Sequence, residues 1–327
     1  MNHSLTASSP VSKRLSPRKM AFITGTLLLT STGFICRILG FFYRIFMSRT
    51  IGAEGLGIYN MVHPIFSICF AVCAGSIQTA LSQYVAANQT RGRAVFRTGL
   101  VIAMGMSFLL AWVIYGNAGF LAEKLLLEPR CAPYLPVMAV SVPFAALHAC
   151  INGYYYGMQK ARVPAFSQVA EQVIRMGAVF LIASIWLESG RQITVSLAVY
   201  GHLIGEMASA VFTVFCLGFF PPCKDGDSRR APAIPLSFGA TAAPLMALAL
   251  PLMGNRLILN VLGSAEAIWI PNKLMSSGLT NSEALSVYGV LTSMALPFIL
   301  FPSAITNSMA VLLLSLIHIS EPTRRRG

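Results

Sequence analysis

The chain has 327 residues, of which 55% are hydrophobic and 11% charged, with a formal net charge of +13. Soluble domains run near a quarter charged, so this composition and a mean hydropathy of +0.68 exclude a water-soluble enzyme built on one large core. The basic excess would suit nucleic acid, but the cations alternate between loops instead of clustering on a soluble domain, so no nucleic acid is expected as partner.

In chain order, a basic tail (1–19, with Lys13, Arg14, Arg18 and Lys19) precedes an apolar run too long for a secretory signal and without a small-residue cleavage site. Apolar runs of about 20 residues or more predict spanning helices near 20–47, 57–85, 96–116, 133–157, 165–187, 192–220, 236–270 and 284–313. The expected fold class is therefore an all-α polytopic membrane protein of about eight transmembrane helices. Pro251 and Pro297 sit where kinks are tolerated in bundles. The charge-dense, proline-rich linker 221–235 separates six helices (20–220) from two more (236–313).

Lysine and arginine counts set the orientation. One side carries the tail, Arg91, Arg93, Arg97, Lys160, Arg162, Lys224, Arg229 and Arg230; the other carries Arg49, Lys124, Arg130, Arg191 and Lys273. The richer side, and with it the N-terminus, is expected to be cytoplasmic. A faint repeat links LGIYNMVHPIF (56–66) and SIQTALS (76–82) to LSVYGVLTSMA (285–295) and AITNSMA (304–310), which would make the second and eighth helices equivalent. From Leu314 the chain reads LSLIHISEPTRRRG, which resembles a translated sequencing-library adapter and is expected not to belong to the natural protein.

No phosphate-binding loop, nucleophile elbow or H-E-x-x-H is present, and the loops are too short to fold a catalytic domain, so no enzyme, cofactor or metal site is expected. The seven cysteines lie mostly in apolar runs without a C-x-x-C pair, which suits small buried residues. Charged groups inside the helices carry the chemistry instead. Arg37 and Arg44 are seven apart and share one helix face; an arginine at bilayer depth costs at least a few kcal/mol unless it faces a cavity or reaches the interface. Arg37 lies deep, Arg44 nearer the end where snorkelling is open to it, and Arg49 reads as a mouth or interface residue.

Gln168, Glu171, Gln172 and Arg175 recur at helical spacing, with Glu171 and Arg175 able to pair at i,i+4, either as a neutralised couple or as a cavity wall. His202 and Glu206, also four apart, offer either a titratable pair for proton coupling or a structural hydrogen bond. Arg256 is the deep cation of the seventh span, facing a central cavity or a kinked backbone near Pro251. His63 and His148 read as satisfied core residues, and Tyr154–Tyr156 as part of an interfacial aromatic belt.

The run TGTLLLTSTGFICRILGFFYRIFMSRTIGAEGLGIYN, with SQVAEQVIR and LTSMALPFILFPSAITNSMA, resembles the stage V sporulation protein B family, from about residue 22 to 313. That family is part of the multidrug/oligosaccharidyl-lipid/polysaccharide flippase superfamily, akin to lipid II flippases. The resemblance implies two six-helix lobes plus an added pair, of which this chain holds the first lobe and two helices of the second. It also implies functional arginines: Arg37 matches the relatives' S-R-x-L-G arginine and Arg49 the one before the loop glycine. Arg44 falls one residue after their next arginine, and Arg256 has no counterpart.

On that resemblance the chain is expected to flip an undecaprenyl-pyrophosphate-linked glycan, lipid II for spore cortex peptidoglycan, by alternating access through a cavity lined by Arg37, Arg44, Arg49, Arg175 and Arg256. Glu171, His202 and Glu206 are the candidate coupling residues, and cell-wall synthesis enzymes the candidate protein partners. The alternatives are a cation-coupled multidrug exporter, which requires an acid-dominated cavity, and a non-transporting scaffold.

Overall fold

The structure is a computed structural model that describes residues 17–222 and 238–300, with side chains from residue 24. The basic tail to residue 16, the linker 223–237 and everything beyond 300, including the repeat segment 304–310 and the adapter-like end, lie outside the described residues.

The first helix runs from Pro17 to Phe70 and continues through one π turn, Ala71–Gly75, into Ser76–Ala87. Its apolar stretch Thr24–Ala87 is 64 residues, about three times what one crossing needs, and its backbone leaves helical geometry at Gly52 (φ 76°, ψ 173°). We therefore divide it into α1 (17–51) and α2 (53–87). Next come α3 (Gly92–Gly116), α4 (Leu135–Gly157), α5 (Arg162–Glu188), α6 (Ser196–Phe219), α7 (Phe238–Ser276) and α8 (Asn281–Leu300). The eight expected spans are all present, the seventh running six residues past its expected end and the end of the eighth lying outside the described residues.

The difference from expectation is at the first turn, where a loop of several residues was expected. Helix runs up to Gly52 on one side and resumes at once on the other. Only glycine tolerates that positive φ without strain, so one residue makes the whole break between the two helices.

Large apolar side chains such as Trp112, Trp269, Phe219 and Phe298 point outward, as lipid-facing residues must. Inside, α4 packs on α2, α3 and α6, and α5 on α6 and α1. Small residues set these distances: Ala145, Ala146, Ala149 and Cys150 of α4 are fully buried. Tyr154 and Tyr155 join this interior instead of forming an aromatic belt. Tyr154 stacks on Phe96 at 4.9 Å, and the Tyr155 hydroxyl donates to the Phe220 carbonyl at 2.8 Å. Tyr155 can therefore bury its ring, because its polar end is satisfied within the protein.

The repeat-related helices α2 and α8 meet face to face. Gly57 lies against the backbone of Leu285, and Gly289 against the backbone of Ala53 and Gly57, so a methyl group at either glycine would overlap main-chain atoms. Further along the same contact, Asn60 Nδ2 donates to Thr292 Oγ1 at 2.7 Å and Ser293 Oγ at 2.6 Å. Thr280 starts α8 with a capping box, its hydroxyl accepting from Glu283 N while its own amide donates to Glu283 Oε2.

The Gly52 end of the bundle is tied by charge. Arg130, between α3 and α4, reaches Glu54 Oε1 at 2.6 Å and Glu128 Oε1 at 2.8 Å. Asn281, the first residue of α8, donates to Glu128 Oε2 at 2.8 Å. Burial alone pushes the Glu128 carboxyl up, but hydrogen bonds from Arg130 and Asn281 together with the Arg130 charge outweigh it and hold it below its ordinary value.

Candidate functional site

The polar side chains of the helix interiors converge on a cavity of about 560 Å³. Its wall includes Arg44 from α1, Asn60 and His63 from α2, His148 from α4, Glu171, Gln172 and Arg175 from α5, His202 and Glu206 from α6, and Arg256 from α7. Glu206 lies ten residues into α6, about 15 Å from its start, which is mid-bilayer.

The most connected part is a nest shared by α4, α5 and α6. His148 Nε2 is 2.8 Å from Glu206 Oε2. Arg175 pairs with Glu171 one turn back on α5, and its Nη2 is also 3.8 Å from Glu206 Oε1. His202, on Glu206's own helix, is 3.9 Å from Oε1 and makes no hydrogen bond with it. His202 instead packs edge-on against Phe66 at 4.4 Å and beside His63 at 5.7 Å. The carboxylate thus takes its imidazole partner from another helix, not from its own i,i−4 neighbour.

Arg256 reaches across from α7 to α2, its Nη2 donating to Thr79 Oγ1 at 2.9 Å. The guanidinium lies directly over Gly75, which has no side chain to obstruct it. This contact goes to a side chain of a neighbouring helix, not to carbonyls near Pro251. Arg44 is exposed to the cavity and also borders a second pocket of about 470 Å³. That pocket, between α1, α5 and α8, is lined by Cys36, Arg37, Phe41, Gln168 and Pro297. Arg37 therefore faces the side pocket, not the central one, and Arg49 is exposed and borders neither.

Sequence reasoning missed His63 and His148, both read as core residues and both on the cavity wall. For His148 the signal was Glu206: a carboxylate at bilayer depth demands a partner, and an imidazole is one of few available. His148, Glu171 and Glu206 also present one nitrogen and two carboxylates within 4.8 Å of one another. Arg175 already supplies positive charge there, so a metal ion fits only by displacing it.

Comparison with known proteins places this geometry. Residues 22–312 match the family model described as "Polysaccharide biosynthesis protein". The chain belongs to that family. It is 30% identical over 305 residues to "Stage V sporulation protein B" of Bacillus subtilis (strain 168), covering 91% of this chain and 58% of that protein. It is 20% identical over 294 residues to "Sporulation protein YkvU" of the same organism, covering 90% of this chain and 64% of the relative. "Lipid II flippase MurJ" of Bacillus subtilis matches at 23% over 206 residues, covering 58% and 38%. The chain thus spans less than two thirds of the length of these relatives.

Proposed function

We propose that this family member takes part in moving a lipid-linked, pyrophosphate-bearing glycan across the bilayer, with lipid II for spore cortex as the favoured cargo. One observation carries the reading: guanidinium groups from three helices, Arg44, Arg175 and Arg256, border one cavity at bilayer depth. A polyanionic headgroup crossing about 30 Å of hydrocarbon must exchange its hydration for other donors. Arginine forks are suited to this, because they bind phosphate oxygens in pairs and keep their charge at any cellular pH.

On this reading Arg37 meets the cargo in the side pocket, where the lipid tail leaves for the membrane, and Arg49 meets it at the outer mouth. The N-terminus is cytoplasmic, helices α1–α6 form one lobe and α7–α8 open the second, and the lobes alternate access by rocking. The name of one relative, a lipid II flippase, agrees with transport as the activity. An exporter of organic cations would need free carboxylates, whereas Glu171 and Glu206 are both engaged by Arg175 or His148.

The test is translocation of a fluorescent undecaprenyl-pyrophosphate-linked sugar in vesicles. Arg44→Ala and Arg256→Ala are each expected to slow it by about tenfold or more, the worth of one charge-assisted contact. Undiminished flipping by both variants at normal abundance would remove the reading.

A further inference from the structure

The nest contains more negative than positive fixed charge. Glu171 and Glu206 are two carboxylates, and Arg175 is the one guanidinium bonded between them. Buried charges need compensation, so a further positive charge is called for close by. The nearest candidate is His148, whose Nε2 already sits 2.8 Å from Glu206 while its Nδ1 is buried without a hydrogen-bond partner. His202 is 4% exposed, and its Nε2 is likewise unpartnered, 3.9 Å from Glu206.

The groups facing this pair from elsewhere are Cys36, Tyr43 and Arg44 of α1, Tyr59 and His63 of α2, and Arg256 across the cavity on α7. None adds a positive charge in contact with Glu206. The ligand that fits is a proton. An alkali ion prefers a shell of oxygens, whereas the unpartnered atoms here are mainly nitrogens.

We propose that the His148–Glu206 pair is an exchangeable proton site whose occupancy sets how firmly Glu206 holds Arg175, and so how available Arg175 is to a phosphate. With His148 protonated, Glu206 is neutralised from its Oε2 side and Arg175 is held chiefly by Glu171. With His148 neutral, Glu206 draws on Arg175 from its Oε1 side. By reciprocity, an anion that engages Arg175 leaves Glu206 less compensated and strengthens proton uptake at His148. This last link rests on the cargo reading above; the proton site itself does not.

The test is ring ¹⁵N NMR of the protein in lipid nanodiscs, first without any anion. One buried imidazole is expected to change protonation between about pH 5 and 9, its signal absent in His148→Gln and its midpoint lowered by one pH unit or more in Glu206→Gln. A His148 ring that stays neutral throughout, or a midpoint that moves when sodium replaces potassium, would overturn the proton site. Adding inorganic pyrophosphate is then expected to raise the midpoint. A titrating His148 whose midpoint ignores bound pyrophosphate overturns the link to Arg175, and failure of pyrophosphate to bind at all counts against the cargo reading while the proton site stands.

Discussion

The Gly52 end and the middle of the bundle use the same residue types to opposite purposes. At the Gly52 end, Arg130 bridges Glu54 and Glu128, with side-chain exposures of 44% for the arginine and 36% for Glu54, while Glu128 is 4% exposed and also held by Asn281. In the middle, Arg175, Glu171, Glu206 and His148 are all at or below 20%. An exposed bridge contributes about 0–1 kcal/mol and can form and break cheaply. A buried one cannot lose a partner without leaving an uncompensated charge, so its members must move together. The Arg130–Glu54 bridge is thus suited to a releasable tie, the inner set to a site that must be refilled whenever one member leaves.

Substitution tests that contrast directly. Glu206→Ala strands His148 and Arg175, and is expected to cost about 3–5 kcal/mol of stability, read from thermal unfolding in detergent. A loss below about 1 kcal/mol would mean that the nest is solvated like the Arg130–Glu54 bridge. Next comes Gly57→Ala, which pushes a methyl into the backbone of Leu285 and is expected to cost about 1–3 kcal/mol or to separate α2 from α8 in a cross-linking assay. Glu54→Gln, which removes only the exposed Arg130–Glu54 bridge, is expected to cost less than about 1 kcal/mol, a difference that salt should erase. If Glu54→Gln instead matched Gly57→Ala, charge and not backbone packing would hold the Gly52 end.

The smallest effect is that of acid. Glu128 has its folded value lowered below 4.5, so its contribution is fully present above pH 4.5 and lost as pH falls through the lowered value. Stability at the Gly52 end should therefore be flat from neutral pH down to about 4.5 and decline below it, and Glu128→Gln should flatten that decline.

The helices were legible because a bilayer permits few solutions. Any apolar run of the right length had to become a span, and the boundaries of α3 to α6 follow. The break at Gly52 was not, because AEGLG has the composition of a loop and only the backbone reveals that one glycine suffices. The polar stripe of α5 was visible from its spacing, and Glu171, Gln172 and Arg175 do lie together on the cavity wall. The partner of Glu206 was not visible. Periodicity tells which face of α6 is polar, but His148 lies 58 residues away on α4, and helix rotation alone decides that it, and not His202, meets the carboxylate. Arg37 and Arg44 share a face, yet only Arg44 borders both pockets, a distinction set by how α5 and α8 approach α1.

The lone pivot at residue 52 has a mechanical consequence. Two stiff rods joined by a single joint amplify small rotations: a swing of about ten degrees there would carry the far end of α1, roughly 50 Å away, through about 9 Å. Arg44, only about 12 Å from the joint, would travel little more than 2 Å in the same movement. A lever of that shape can open a wide passage at one membrane face while Arg44 on the cavity wall barely moves.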